Sequence, residues 1–478
     1  MEQEAFVGRE EEIKQLRALL KKRSASFVVV KGRRRIGKSR LIEEFSKNRK
    51  TYKITGLAPE PNTTKQDQLD EFAKQLSAVT GLPEIKTDDW SKLFAFLARE
   101  VKTGQVLVIF DEISWIGSKD SAFLAKLKNA WDDLFKKNPK LIFIVCGSVS
   151  TWIDDNILNS KAFYGRISWT LELNPLPLAD CNRLLKAHGF RGSTYEKFKL
   201  LSVTGGIPWY IELMQGNFNA DENIKRQCFL KGGALFGEFE QIFHDVFGKQ
   251  DQVYKDIVEA LADGAAEYKE ISKKIDYKSS GRLSNYLTAL EKGGFISKDF
   301  TWSLASGKES KIAQYRLSDN YLRFYLKYIS PHQEKIKKGH YNKGGLPNFI
   351  NWDTVMGLQF ENLVLGNREK ILELLSIRPE DIISDNPYLQ KQKTRHKGCQ
   401  VDYLIQTKYK NLYVCEIKFS RSPISAKAVD EMKKKIRALA LPRGTSALPV
   451  LIHLDGVTHS PEIKDYFYET IDFGELLY

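Results

Sequence analysis

The chain has 478 residues, 42% of them hydrophobic, which is enough apolar material to build cores in about three domains and excludes a disordered polymer. Its formal net charge is +14, and no apolar run approaches the ~18 residues of a membrane-spanning helix. Five scattered cysteines without CxxC spacing, and an acidic start (MEQEAFVGREEE) without an apolar leader, read as a reducing, cytoplasmic setting rather than a disulfide or zinc framework.

Residues 1–177 alternate short apolar runs with helical patterns, which predicts a parallel α/β sheet. The expected strands are FVVVK, TYKIT, VLVIF, LIFIVC and WTLEL. The first runs directly into GRRRIGKS, Gly32 to Ser39, a GxxxxGK[ST] phosphate-binding loop. Gly32 and Gly37 let the backbone curl so that the N–H groups across Arg33, Arg34, Arg35 and Ile36 face one anion. Lys38 supplies positive charge to the outer phosphates, and Ser39 offers its hydroxyl to Mg²⁺. The helix that continues through Arg40 aims its positive dipole end at the same place. The expected cofactor is ATP with Mg²⁺.

VLVIFDE sets Asp111 and Glu112 at the end of a buried strand, where Asp111 holds Mg²⁺ through water and Glu112 polarises the attacking water. LIFIVCGSVS brings Ser148 to the end of another strand, in reach of a γ-phosphate. Arg166, just before the last strand, either stabilises phosphoryl charge in cis or across a subunit boundary, or is a solvated loop arginine.

The run Asn174-Pro175-Leu176-Pro177 breaks the pattern, and residues 178–249 read as helices. Residues 250–331 have helix–helix–helix–hairpin order, the arrangement of a winged helix. Its third helix, SGRLSNYLTALEKGG, buries Leu283, Leu287 and Leu290 and presents Arg282, Asn285 and Lys292. Three polar side chains are few for reading bases, so a structural or regulatory role is preferred to duplex binding. His332 to Pro347 reads as a linker.

Residues 348–478 form a last α/β unit, and the charge concentrates there. Asn386 to Arg443 holds fourteen Lys or Arg against four Asp or Glu, +10 in 58 residues, while the remaining 420 carry +4. Such a field suits a polyanion, DNA first, although a solvated basic face is the plainer reading. VDYLI and LYVCEIKFS flank a tip near Tyr409, so a symmetric hairpin sets Asp402 opposite Glu416, with Lys418 on the same face. Two carboxylates at that range hold Mg²⁺ or Mn²⁺, and a lysine beside them orients water or stabilises developing charge. Glu361, on the helix MGLQFENLVLGN, is a candidate third carboxylate. The lysines of SAKAVDEMKKKIRAL either contact phosphates or lie on a solvated face.

Two resemblances follow from these motifs. FVGREEEIKQL, GRRRIGKS, IFDEISWI, VCGS, GRISWTLELNPL and TGGIPWYIE together resemble the archaeal-type ATPases at the border of the AAA+ and STAND classes. That likeness implies that Val7, Gly8 and Arg9 lie near base and ribose. It also implies a helical lid over 178–249, in which Gly206 and Pro208 sense the nucleotide. Val149 departs from a second serine common in that family. Glu361, Asp402, Glu416 and Lys418 resemble the PD-(D/E)XK nuclease signature, with Val401 in place of its proline. The expected architecture is therefore α/β throughout: a P-loop NTPase sheet with helical lid, a winged helix, and a restriction-endonuclease-like domain over 348–478. The expected function is an ATPase acting on DNA through a metal-dependent nuclease-like domain. The alternative is a nucleotide-switched adaptor that binds without cutting. No membrane partner is expected, and homo-oligomerisation is left open.

Overall fold

The computed structural model describes residues 6–58, 60, 62–148, 150–247, 251–277, 280–392 and 397–478, so Val149 lies outside the described residues. The chain divides into two compact units, Met1–Asn174 and Pro175–Tyr478. Among the described residues no helix is long and apolar enough to cross a membrane.

In the first unit the five apolar runs are strands: β1 (Ser26–Lys31), β2 (Lys50–Thr55), β3 (Val106–Asp111), β4 (Leu141–Gly147) and β5 (Ile167–Glu172). They pair in the order β2-β3-β4-β1-β5, all parallel. The interior strands β1, β3 and β4 are buried at every residue, because helices cover both faces of a parallel sheet. Aromatic rings make much of this core: Phe72 meets Trp90, Phe94 and Phe110 edge-on at 5.4, 5.9 and 5.3 Å. The parallel register brings the ends of β1, β3 and β4 to one edge, with Lys31 beside Gly147 and Thr55 beside Asp111. That edge is where ligands bind in open α/β sheets.

The second unit opens with the helices Leu178–Ala187 and Thr194–Thr204 and continues in short helices to Glu238–Phe247. Helices Asp251–Ala260, Tyr268–Lys274 and Ser280–Lys292 accompany a small antiparallel sheet, order β6-β8-β7, of β6 (Ala266–Glu267), β7 (Ile296–Trp302) and β8 (Glu309–Leu317). Leu283, Leu287 and Leu290 are fully buried, as their spacing predicts, while Arg282 and Asn285 are exposed. A short helix, Gln333–Lys337, falls inside the segment expected to be a linker. A mixed sheet closes the chain: β9 (Ile382–Gln390), β10 (Cys399–Thr407), β11 (Asn411–Lys418), β12 (Ser446–His453) and β13 (Glu469–Asp472), order β13-β12-β11-β10-β9.

The β7–β8 hairpin is not a free wing. Trp302 and Leu304 are buried in the same apolar cluster as Tyr388, Val401 and Leu404 of the C-terminal sheet. Trp302 Nε1 donates to Gln406 Oε1 at 2.6 Å, and Gln406 Nε2 donates back to the Leu304 carbonyl at 2.8 Å. The helix Trp352–Leu365 is buried on nearly all sides from Val355 onward, with the polar Gln359 and Asn362 inside the core. Gln359 Nε2 donates to the Ser202 and Asn320 carbonyls (2.8 and 2.7 Å), and its Oε1 accepts from the fully buried Arg323 (2.9 Å). These bonds join the helix Thr194–Thr204, the segment after β8 and the helix Trp352–Leu365 into one interior.

Candidate nucleotide site and C-terminal carboxylate centre

The phosphate loop leaves β1 through Gly32, whose φ is +149° and whose missing side chain matters twice. A Cβ there would stand 2.7 Å from the Leu173 carbonyl oxygen. Gly37, at φ +92°, turns the chain into the helix Lys38–Ser46. Arg35 also takes the left-handed region (φ +68°), which finishes the curl. Arg33 is buried, and Arg34, Ile36 and Arg40 complete the loop and first turn.

Lys38 is nearly buried and donates to the Gly32 and Arg33 carbonyls and to Ser148 Oγ, at 2.9, 3.0 and 3.0 Å. Burial pulls its pKa below the usual lysine value, against the opposing pull of Glu112, Cys146 and Asp111. Ser148 carries the link onward: its Oγ donates to Glu112 Oε1 at 2.8 Å and its N–H to Oε2 at 3.1 Å. Glu112 stands in the left-handed region at φ +51°, which costs a non-glycine residue about 1–2 kcal/mol. Lys38, Ser148 and Glu112 thus form one continuous hydrogen-bonded line.

Ser39 Oγ donates to Asp111 Oδ2 at 3.2 Å, so the two oxygen donors expected for Mg²⁺ sit together and suit a hard cation that keeps most of its waters. Two neighbours of Asp111 were not anticipated. Cys146 Sγ donates to Oδ1 at 2.9 Å, and Lys53 Nζ lies 3.3 Å from Oδ2. Burial lowers the Lys53 pKa, but Asp111 and then Glu43 outweigh it and the net shift is upward. The one signal for Lys53 in the sequence is its place in β2, which lies next to β3 in the sheet.

Arg9 braces the loop rather than standing apart. Its guanidinium donates to the Asn174 carbonyl (2.5 Å) and the Ile36 carbonyl (3.4 Å), and to Glu12 at 3.0 Å. Gly8 and Arg9 both have positive φ (78° and 65°), a turn that follows Val7 and leads into the helix Glu10–Leu19. Arg166 is placed far from the loop. It precedes Ile167, which pairs with Phe27 at the start of β1, whereas the loop leaves from Lys31 at its end. Four residues of strand are about 13 Å, and Arg166 forks onto Asp132 with Nε and Nη2 at 3.1 and 2.7 Å. The structure therefore does not bring Arg166 to a phosphate in cis. Pro208 belongs to the second unit, at the start of the helix Pro208–Glu212. Gly206 beside it has no room for a Cβ, which would meet the Leu176 carbonyl oxygen at 2.4 Å.

In the C-terminal sheet the hairpin tip is at Tyr409, and the pairs Tyr403–Cys415, Leu404–Val414, Ile405–Tyr413 and Gln406–Leu412 are symmetric about it. Continued by one step, that register sets Asp402 across from Glu416. Asp402 Oδ2 accepts from the Ile417 N–H at 2.9 Å. Burial, then the Glu416 charge, pushes the Asp402 carboxyl up to about 7, against the pull of Lys435. The ammonium in this cluster is not that of Lys418, which pairs with Glu431. It belongs to Lys435 on the helix Lys427–Ala438, which hydrogen-bonds Glu416 and stands 3.8 Å from Asp402 Oδ1. Glu361 is raised by burial, with Arg316, Arg323 and Lys435 pulling the other way. Among the described residues no three His, Cys, Asp or Glu converge to hold a metal, so Glu361 does not complete a three-carboxylate set with Asp402 and Glu416. Two hard carboxylates with a cation already seated at them still fit Mg²⁺ or Mn²⁺ retaining waters.

Residues 6–214 match a family model described as an ATPase domain predominantly from Archaea. An uncharacterized protein of Methanocaldococcus jannaschii is 28% identical over 406 residues, 84% of each chain. Among solved structures, the Walker-type ATPase of Pyrococcus abyssi is similar at a TM-score of 0.52 and 20% identity, over 67% of this chain and 96% of its own. The ORC2 protein of Aeropyrum pernix is similar at a TM-score of 0.40 and 13% identity, over 71% of this chain and 97% of its own. The likeness to the Pyrococcus protein is one of fold. The match of residues 6–214 to the ATPase-domain model, with the linked Lys38–Ser148–Glu112 line beside it, supports ATP hydrolysis by this region.

Proposed function

We propose that this ATPase acts on DNA, with nucleotide turnover controlling a metal-dependent, nuclease-like centre in residues 348–478. The observation that carries this reading is the facing of Asp402 and Glu416, one step beyond the Tyr403–Cys415 pair, with a lysine ammonium at both, inside the segment of net charge +10.

At the ATP centre, the loop N–H groups and Lys38 hold the β- and γ-phosphates. Ser39 and Asp111 would hold Mg²⁺, which neutralises charge on those phosphates when bound. Glu112 takes the proton as a water oxygen attacks the γ-phosphorus and the bond to the bridging oxygen of ADP breaks. Because Ser148 bonds both Lys38 and Glu112, a γ-phosphate drawing Lys38 to itself also frees Ser148 and the carboxylate it holds. Val7, Gly8 and Arg9 are assigned to the base and ribose side, Pro208 to nucleotide sensing by a helical lid, and Arg166 to a neighbouring protomer's nucleotide in an oligomer.

At the second centre, Asp402 and Glu416 would hold Mg²⁺ or Mn²⁺, which supplies Lewis-acid polarisation of a phosphodiester. The basic segment attracts the backbone. The winged-helix order of residues 251–317 favours a structural role, since its hairpin is buried against the C-terminal sheet. That burial is also what supports a second reading, in which the C-terminal domain is an adaptor whose state is set by nucleotide.

The test is supercoiled-plasmid cleavage with Mg²⁺ or Mn²⁺, with and without ATP, by wild type, Lys38→Ala and Asp402→Ala, alongside ATP turnover. Expected are loss of turnover of at least ~100-fold in Lys38→Ala and loss of cleavage in Asp402→Ala. Equal cleavage by wild type and Asp402→Ala overturns the nuclease reading. Salt-sensitive DNA binding without cutting under either metal selects the adaptor.

A further inference from the structure

We infer that Lys435, not Lys418, is the positioning lysine of the Asp402–Glu416 centre, and that its ammonium competes with a divalent cation for those carboxylates. The inference rests on the proposal that the centre takes Mg²⁺ or Mn²⁺, and it goes further by naming the group such a cation must displace.

The geometry is a crossed pair of ion pairs between β11 and the helix beneath it. Glu416 and Lys418 are two residues apart on a strand, about 6.6 Å, and Glu431 and Lys435 are one helical turn apart, about 6 Å. The two spacings match, so the strand pair docks on the helix pair with charges opposed: Glu416 on Lys435 and Lys418 on Glu431. Lys418 therefore spends its charge on Glu431, away from Asp402. Among the described residues Lys435 is the cation that touches Glu416 and approaches Asp402, and it is half-buried while Lys433 and Lys434 beside it are exposed.

The assignment also follows from charge balance. Asp402 and Glu416 face each other on adjacent strands, and two facing carboxylates repel unless a cation sits between them. Lys435 is that cation. A metal ion bound to the same oxygens takes over its work and releases the ammonium on a flexible stem within the centre. The carboxylates are thus kept in place for a metal by a side chain that opposes its entry.

Mn²⁺ titration of the full chain decides this, with binding followed by calorimetry or the Mn²⁺ electron paramagnetic resonance signal. An Asp402→Asn, Glu416→Gln double variant identifies which Mn²⁺ belongs to this centre and which to Asp111. For the Mn²⁺ that the double variant loses, Lys435→Met should bind about tenfold tighter than wild type or more, the equivalent of one lost competing ion pair. Lys435→Arg, which keeps the charge, should stay near wild type, and guards against a packing defect in Lys435→Met. Lys418→Met should change affinity by less than about twofold on the same scale. Tighter binding in Lys418→Met, unchanged binding in Lys435→Met, or no Mn²⁺ sensitive to Asp402 overturns the inference and leaves Lys435 a structural ion pair. Tighter Mn²⁺ binding in Lys435→Met without any plasmid cleavage would sink the nuclease reading alone.

Discussion

Asp402 lies in the C-terminal sheet where burial and a facing carboxylate both oppose its charge. Burial and the facing Glu416 hold its carboxyl near pH 7, although the Ile417 N–H and the Lys435 ammonium favour its charge. Between an ordinary aspartate value of 3.8 and about 7, the folded chain binds more protons at this residue than the unfolded chain does. Its contribution therefore lowers stability as pH rises through that window. Asp402→Asn should show a flatter dependence of the urea midpoint from pH 4 to 7 than wild type. Parallel curves for the two proteins would mean that the residue titrates normally. The Asp402–Glu416 facing was legible from the sequence because hairpin register is arithmetic about a tip. The partner lysine was not, since Lys435 arrives from a helix whose docking no strand pattern encodes.

At the scale of elements, the β7–β8 hairpin is the least expected feature. Its order along the chain is that of a winged helix, yet its far end is core: Trp302 and Leu304 pack with Tyr388 and Val401, and the Trp302 indole bonds Gln406. Trp302→Ala removes a residue only 2% exposed and strands the Gln406 carbonyl. The expected loss is about 3–5 kcal/mol, read as a lowered denaturation midpoint with ATP turnover largely retained. A loss below about 1 kcal/mol would show that the hairpin only rests on the sheet. The helix Trp352–Leu365 teaches the same lesson in reverse. Its Gln359 and Asn362 are polar, but Arg323, Asn320 and Arg316 arrive from elsewhere in the chain to satisfy them inside. Pattern reports polarity, not whether a buried partner will meet it.

At the scale of the whole molecule, charge is divided unevenly: the 58 residues from Asn386 to Arg443 hold +10 of the net +14. Within that segment Lys418 and Lys435 are committed to Glu431 and Glu416, while Lys433 and Lys434 are exposed. If DNA is the polyanion, these two are among the cations this helix offers to phosphates, with the exposed Lys427 and Arg437. Replacing Lys433 and Lys434 by alanine should then reduce the slope of log K against log[salt] by about 2, with a similar effect on any DNA sequence. An unchanged slope would place the DNA contacts on other residues.

By itself the sequence determined the ATPase sheet, its five strands, the phosphate loop and the strand-end Asp111 and Glu112. Each of these rests on local physics: apolar runs buried on both faces, glycines where φ must be positive, and carboxylates where a strand ends. The tertiary structure alone decided that Arg166 lies at the far edge of its sheet on Asp132, and that Trp302 and Leu304 at the end of the β7–β8 hairpin are core. It alone set Lys435 rather than Lys418 at the carboxylates. In each case the outcome depends on which distant element packs alongside, and a charged side chain is held by whichever opposite charge that packing brings nearest.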